Sequence, residues 1–150
     1  MIDPRRLELY LETLRREMDT VQQALEMPDE TIQAMPLALR GLKYSMIVIA
    51  EVIAETCQHI LAKQHKTSVS GFSETLAKAA ARGVFSQELY ERLLPFLHFR
   101  NLLVHGYWKV DDAQFLRNLR HGIADFSAFA TSIEQQYIPA SPPTSTSPRD

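Results

Sequence analysis

The chain has 150 residues and a net charge of −2, so it lacks the basic excess of a protein that coats nucleic acid by charge alone. Its length and unbroken apolar content suit one domain with a real hydrophobic core, and five glycines with few β-branched runs point to helices. The single cysteine excludes an intrachain disulfide, no basic-then-apolar leader opens the chain, and the longest apolar run, Met46 to Ala50, is far short of the ~20 residues that cross a bilayer, so a soluble, cytoplasmic protein is expected.

Asp3-Pro4 is an N-cap followed by proline at the first helical position, and Leu7, Leu11, Leu14, Met18, Val21 and Leu25 then recur at helical spacing, predicting a helix that ends before Pro28. Pro28-Asp29-Glu30 is a second start signal, which Pro36 interrupts, leaving a short turn before a long helix from about Leu37 to Lys63. That helix is apolar on most sides, as a central, buried helix must be. Ser68 to Gly71 reads as a loop, and Phe72 to Arg82 as a short helix stopped by Gly83. Ser86 caps the next helix, in which Pro95 predicts a kink. Asp111 and Gln114 fit a capping box opening a last helix through Phe115, Leu119, Ile123, Phe126, Phe129 and Ile133. The expected organisation is an all-α helical domain over residues 1–137, of four to five main helices, and a disordered Pro/Ser/Thr-rich tail over residues 138–150.

Charge is distributed unevenly. From Met1 to Ile60, 10 acids face 6 Lys and Arg; from Arg82 to His121, Arg82, Arg92, Arg100, Lys109, Arg117 and Arg120 outnumber four acids. An RNA-facing surface is therefore expected on the C-terminal half.

The stretch Phe99-Arg100-Asn101-Leu102-Leu103-Val104-His105-Gly106-Tyr107 gathers the chemistry. Arg offers a planar, permanent charge for phosphate, and His exchanges its proton near neutrality. RNA carries its own nucleophile in the 2′-hydroxyl, so His105 can serve as general base or acid while Arg100 stabilises charge on the phosphorane, without a metal. Five residues apart on a helix, the two side chains diverge by about 140°, so something must re-aim one of them. Gly106 can end the helix at His105 and do so. The alternative is that both merely satisfy carbonyls at a helix C-terminus.

Other candidates have plainer readings. Glu51 and Glu55, at i,i+4, form a carboxylate pair able to orient Arg100 or Arg40, or are simply solvated. Cys57 and His59 project to different sides and read as structural; no set of Cys, His and acids has metal-ligand spacing. His98 can reach phosphate or be a surface residue, and Trp108 can stack on a base or pack beside the last helix.

The Arg-x4-His-x-Tyr pattern of Arg100, His105 and Tyr107 resembles the signature of HEPN-domain proteins, and more narrowly of the HepT toxin family. Leu39-Arg40-Gly41-Leu42-Lys43-Tyr44 leading into Glu51 to Ala62 is similar to that family's long second helix, and Arg82-Gly83-Val84-Phe85 and Asp111 match as well, over about residues 3 to 137. The resemblance implies a HEPN-type helical bundle and a metal-independent endoribonuclease, the toxin of a type VII-like toxin–antitoxin pair, acting on cellular RNA (tRNA or mRNA) with no cofactor of its own. It makes Arg100 and His105 catalytic and Asn101 an active-site polar residue. Tyr107 becomes the hydroxyl that a minimal nucleotidyltransferase antitoxin of the MntA kind modifies with AMP from ATP. It also implies a homodimer that apposes two motifs in one groove. Gly106 stands where the family more often has an acidic residue. A catalytically silent HEPN module presenting substrate or nucleotide to a transferase is the alternative.

Overall fold

Asp3 sets the fold's first helix. In the computed structural model, which describes residues 1–106 and 109–140, its carboxylate accepts the N–H groups of Arg5 and Arg6 (3.0 and 3.4 Å), and Pro4 occupies the first helical position of α1 (Pro4–Ala24). Leu7, Leu11, Leu14, Met18 and Val21 are all buried along one stripe, each contributing roughly 2 kcal/mol by its removal from water. The expected turn after Pro28 is a five-residue helix, α2 (Asp29–Gln33), whose Ile32 is buried. Pro36 opens α3 (Pro36–Gln64), 29 residues and about 43 Å long.

Buried residues lie on most sides of α3 because α1, α2, α4 and α5 all pack on it. α4 (Phe72–Ala81) ends at Gly83 (φ +77°), where the Gly83 and Val84 N–H groups return to Ala80 O and Ala79 O (3.1 and 2.9 Å). This Schellman arrangement needs a left-handed residue, which glycine adopts without strain. α5 (Gln87–His105) starts where Ser86 Oγ accepts the Leu89 N–H (3.0 Å), and it runs helically through Pro95, which sits at an exposed position. α6 (Asp112–Tyr137) is capped by Asp111, whose carboxylate accepts the Gln114 N–H (3.0 Å).

The four long helices close a ring in which α1 packs on α3, α3 on α5, α5 on α6 and α6 on α1; α2 and α4 cover gaps in it. Among the described residues this is an all-α bundle. Between α5 and α6 the core is aromatic: Phe96 meets Phe126 edge-on at 4.7 Å, and Phe99 meets Phe115 at 5.7 Å. Gly122 of α6 lies directly under the Phe96 ring, where an added Cβ would come within 1.6 Å of Cζ. Ile138, within the stretch that composition assigns to the tail, is half-buried against the core; residues 141–150 of that stretch lie outside the described residues.

His59 ties the start of α1 to α3, its Nε2 accepting the Asp3 N–H at 3.1 Å. Burial, followed by the Arg6 and Lys63 charges, holds its pKa below the ordinary 6.5; Asp3 opposes them. Protonation would turn the accepting nitrogen into a donor facing another donor. The unfolded chain therefore takes up this proton at higher pH than the folded one, and the stabilisation is complete above about pH 6.5 and lost as pH falls through the lower folded-state value. Thermal midpoints should decline from pH 7 to pH 5, and His59→Gln, whose amide oxygen can still accept, should flatten that decline. An equally steep decline in the variant would show that other groups govern it.

Candidate active site

Arg100 is partly buried and turned inward from α5. Its Nε and Nη2 donate to Oε1 of Glu51 on α3 (2.9 and 2.5 Å), and its Nη1 donates to Oδ1 of Asn101 (3.1 Å). Its guanidinium carbon lies 4.2 Å from the ring centroid of Phe72, the first residue of α4. Three helices thus fix one side chain. Among the described residues three of its five N–H donors are engaged, which leaves one on Nη1 and one on Nη2 to meet a phosphate oxygen. The Arg100 side chain is 15% exposed while that of Glu51 is 42% exposed, so the carboxylate stays solvated enough to yield part of the pair to an incoming anion.

His105 is exposed at the last position of α5, and its side chain takes part in no hydrogen bond among the described residues. The helix does end there, but Gly106 does not supply a left-handed stop: its φ is −149°. A Cβ at Gly106 would meet Leu102 O and Lys109 Cδ at 3.6 Å and Leu102 Cδ2 at 4.0 Å, ordinary contacts, so neither space nor backbone demands glycine. Because His105 remains in helical register, the angular divergence from Arg100 persists, and among the described residues no hydrogen bond joins the two side chains. Tyr107 and Trp108 lie outside the described residues.

The remaining candidates separate cleanly. Glu51 holds Arg100, whereas Glu55, one turn on, lines a different hollow together with Arg6 and His59. Cys57 is fully buried, which pushes its thiol pKa up, and His59 is engaged with Asp3, so both are structural here. His98 is exposed, its ring beside that of Phe99. Among the described residues, no three His, Cys, Asp or Glu side chains converge as a metal site would require.

Two features escaped the sequence. Lys43 of α3 pairs with Oδ1 of Asp112 (2.7 Å), so the segment between α5 and α6 is bracketed by ties to α3 at Arg100 and at Asp112. Phe72 beneath Arg100 is the other. The cations that composition counts in the C-terminal half are not all free. Arg92 is bound by Glu88 and Asp125, Arg100 by Glu51, and Arg120 by Asp29 and the carbonyls of Leu25 and Met27, so half of those six cations are neutralised or spent on the chain's own groups.

The family model of ribonuclease HepT-like proteins matches residues 14–133. The chain belongs to this family. Among solved structures, this HepT-like chain is similar to a tri-AMPylated HEPN toxin from Shewanella oneidensis in complex with its MNT antitoxin, at 18% identity and a TM-score of 0.80 over 91% of this chain and 100% of that one. It is likewise similar to a mutant MntA–HpeT toxin–antitoxin structure (17% identity, TM-score 0.77, 89% and 100% covered). A third similar fold is the cytosolic protein YutE of Bacillus subtilis (16%, 0.75, 93% and 96%). No curated protein matches the sequence. No helix among the described residues is long and apolar enough to cross a membrane.

Proposed function

We propose that this HepT-like chain is a metal-independent endoribonuclease toxin, with Arg100 and His105 as its catalytic residues and Asn101 as a polar neighbour that helps aim the guanidinium. The observation that carries the reading is Arg100 itself. A half-buried guanidinium held by Glu51, Asn101 and Phe72, with two N–H groups to spare, is preorganised for a phosphate whose charge grows during reaction. His105, exposed and unengaged among the described residues, exchanges the 2′-hydroxyl or leaving-group proton.

Since Arg100 and His105 stand five residues apart on one helix, about 140° around its axis, a working groove apposes the motifs of two copies, so that Arg from one can act with His from the other. This favours a homodimer across α5, whose Leu94 and Val104 are 43% and 45% exposed. The similar Shewanella toxin is AMPylated and bound to an MNT antitoxin. By analogy, a nucleotidyltransferase antitoxin restrains this chain by adding AMP from ATP to Tyr107, placing phosphate and adenosine in the path of RNA.

Expression without such a partner should arrest growth. Incubation with the cognate transferase, ATP and Mg²⁺ should raise the mass by whole AMP units, and Tyr107→Phe should abolish the gain while part of the nuclease activity survives. Mass gain that persists in Tyr107→Phe would overturn the assignment of the modified residue.

A further inference from the structure

At the other end of α3, the first turns of α1 lie against residues 55–63, and the two helices enclose a hollow of about 370 Å³. Arg6 and Tyr10 line it from α1, and Glu55, Gln58, His59 and Lys63 from α3. Glu51 stands four residues before Glu55 and 12 before Lys63, so the hollow runs from about 6 Å to about 18 Å along α3 from the carboxylate that holds Arg100, and none of the residues that hold Arg100 lines it. This is a separate place on the molecule, in the half of the chain where acids predominate.

Its two cations, Arg6 and Lys63, face each other from different helices. Arg15 and Arg16 are paired with Glu134 and Glu12, but neither Arg6 nor Lys63 forms an ion pair among the described residues, although Glu55 lines the same hollow. His59 adds a directed donor. Its ring is only 7% exposed, and because Nε2 accepts the Asp3 N–H, the proton of the neutral ring is on Nδ1, for which no described residue supplies an acceptor. Burial and the nearby Arg6 and Lys63 charges keep the ring neutral, so this tautomer persists at physiological pH. Two unpaired cations on facing helices and a ring N–H together suit a compact dianion. Tyr10, Gln58 and Glu55 add a phenol, an amide and a carboxylate, which suit ribose hydroxyls and base edges rather than a second phosphate.

We propose that this hollow is a phosphomonoester site, in which Arg6, Lys63 and His59 Nδ1 hold the phosphate of a nucleotide, either free or at the end of an RNA strand. A monoester is preferred over an internal phosphodiester because its second charge matches the second cation. The inference goes beyond the ribonuclease reading and does not depend on Arg100 or His105.

NMR of the full chain with the His59 ring as reporter tests it, using inorganic phosphate, AMP, adenosine and a short RNA with and without a terminal phosphate. Phosphate and AMP should shift the His59 signals and adenosine should not. If the physiological source is a strand end, terminally phosphorylated RNA should compete with AMP and its dephosphorylated form should fail to; if the source is a free nucleotide, neither RNA competes. Arg6→Gln and Lys63→Gln, both at exposed positions, should each weaken AMP binding by about tenfold or more, while Lys63→Arg retains it. Arg100→Gln should leave AMP binding unchanged, which separates this site from the nuclease groove. Absence of any His59 shift at millimolar phosphate and AMP, or undiminished binding in the Arg6→Gln, Lys63→Gln double variant, would overturn the proposal.

Discussion

His105→Ala should lower RNA cleavage by about 10²- to 10⁴-fold, the range supplied by a positioned acid or base, and should relieve growth arrest with it. The variant is clean because the imidazole is exposed and makes no hydrogen bond among the described residues. Its removal should change stability by no more than about 0.5 kcal/mol. Arg100→Ala is a poorer probe, since it strips Glu51 of its partner and Phe72 of its covering cation, and mixes catalytic with structural loss. Cleavage of labelled RNA by the wild type should also persist in EDTA. A folded, equally abundant His105→Ala protein that cuts RNA at the wild-type rate would refute the assignment. Activity lost to the chelator and restored by a divalent ion would refute the metal-free chemistry.

Gly122→Ala should destabilise the bundle even though alanine is the better helix former. The propensity gain is about 1 kcal/mol. Against it stands a Cβ placed 1.6, 2.0 and 2.8 Å from three atoms of the Phe96 ring, which is itself 4% exposed and locked edge-on against Phe126. Overpacking of this kind costs about 1–3 kcal/mol or more, and here the overlap is nearly complete, so the steric term should win by about 2 kcal/mol. A thermal midpoint lower by roughly 4–8 °C is expected for a domain of this size. Phe96→Leu in the Gly122→Ala background should recover part of the loss, because the two positions share one contact. A neutral or stabilising Gly122→Ala would mean that the ring can swing aside at no cost. The effect should reach the site as well, since Phe96 is one turn before Arg100 on α5.

What the sequence disclosed follows from the range of each interaction. Asp3, Ser86, Asp111 and Gly83 act on groups within four residues, so helix starts and stops were legible, and the 3.6-residue apolar period told which faces would be buried. Glu51 could be nominated as a partner for Arg100 only together with Glu55, because their i,i+4 spacing sets both on one helical face. Its separation from Glu55, by contrast, depends on which helix packs beside each turn of α3. The Lys43–Asp112 tie and Phe72 under Arg100 join residues tens of positions apart, and no local pattern encodes such a meeting. Composition likewise counts charges without their partners: Arg92 and Arg120 of the basic C-terminal half are held by carboxylates elsewhere in the fold. Gly106 misled because glycine at a helix end usually signals a left-handed turn, and here the backbone takes a φ open to any residue.

The divergence of Arg100 and His105 on α5 has a bearing on dosage. If one groove apposes the motifs of two copies, as proposed, AMP on either chain would block it for an unaltered neighbour. Under random pairing, the fraction of intact grooves falls as the square of the fraction of unmodified chains. An antitoxin acting on Tyr107 would then silence cleavage well before it had reached every molecule, and newly made chains would be captured by inactive ones already in excess.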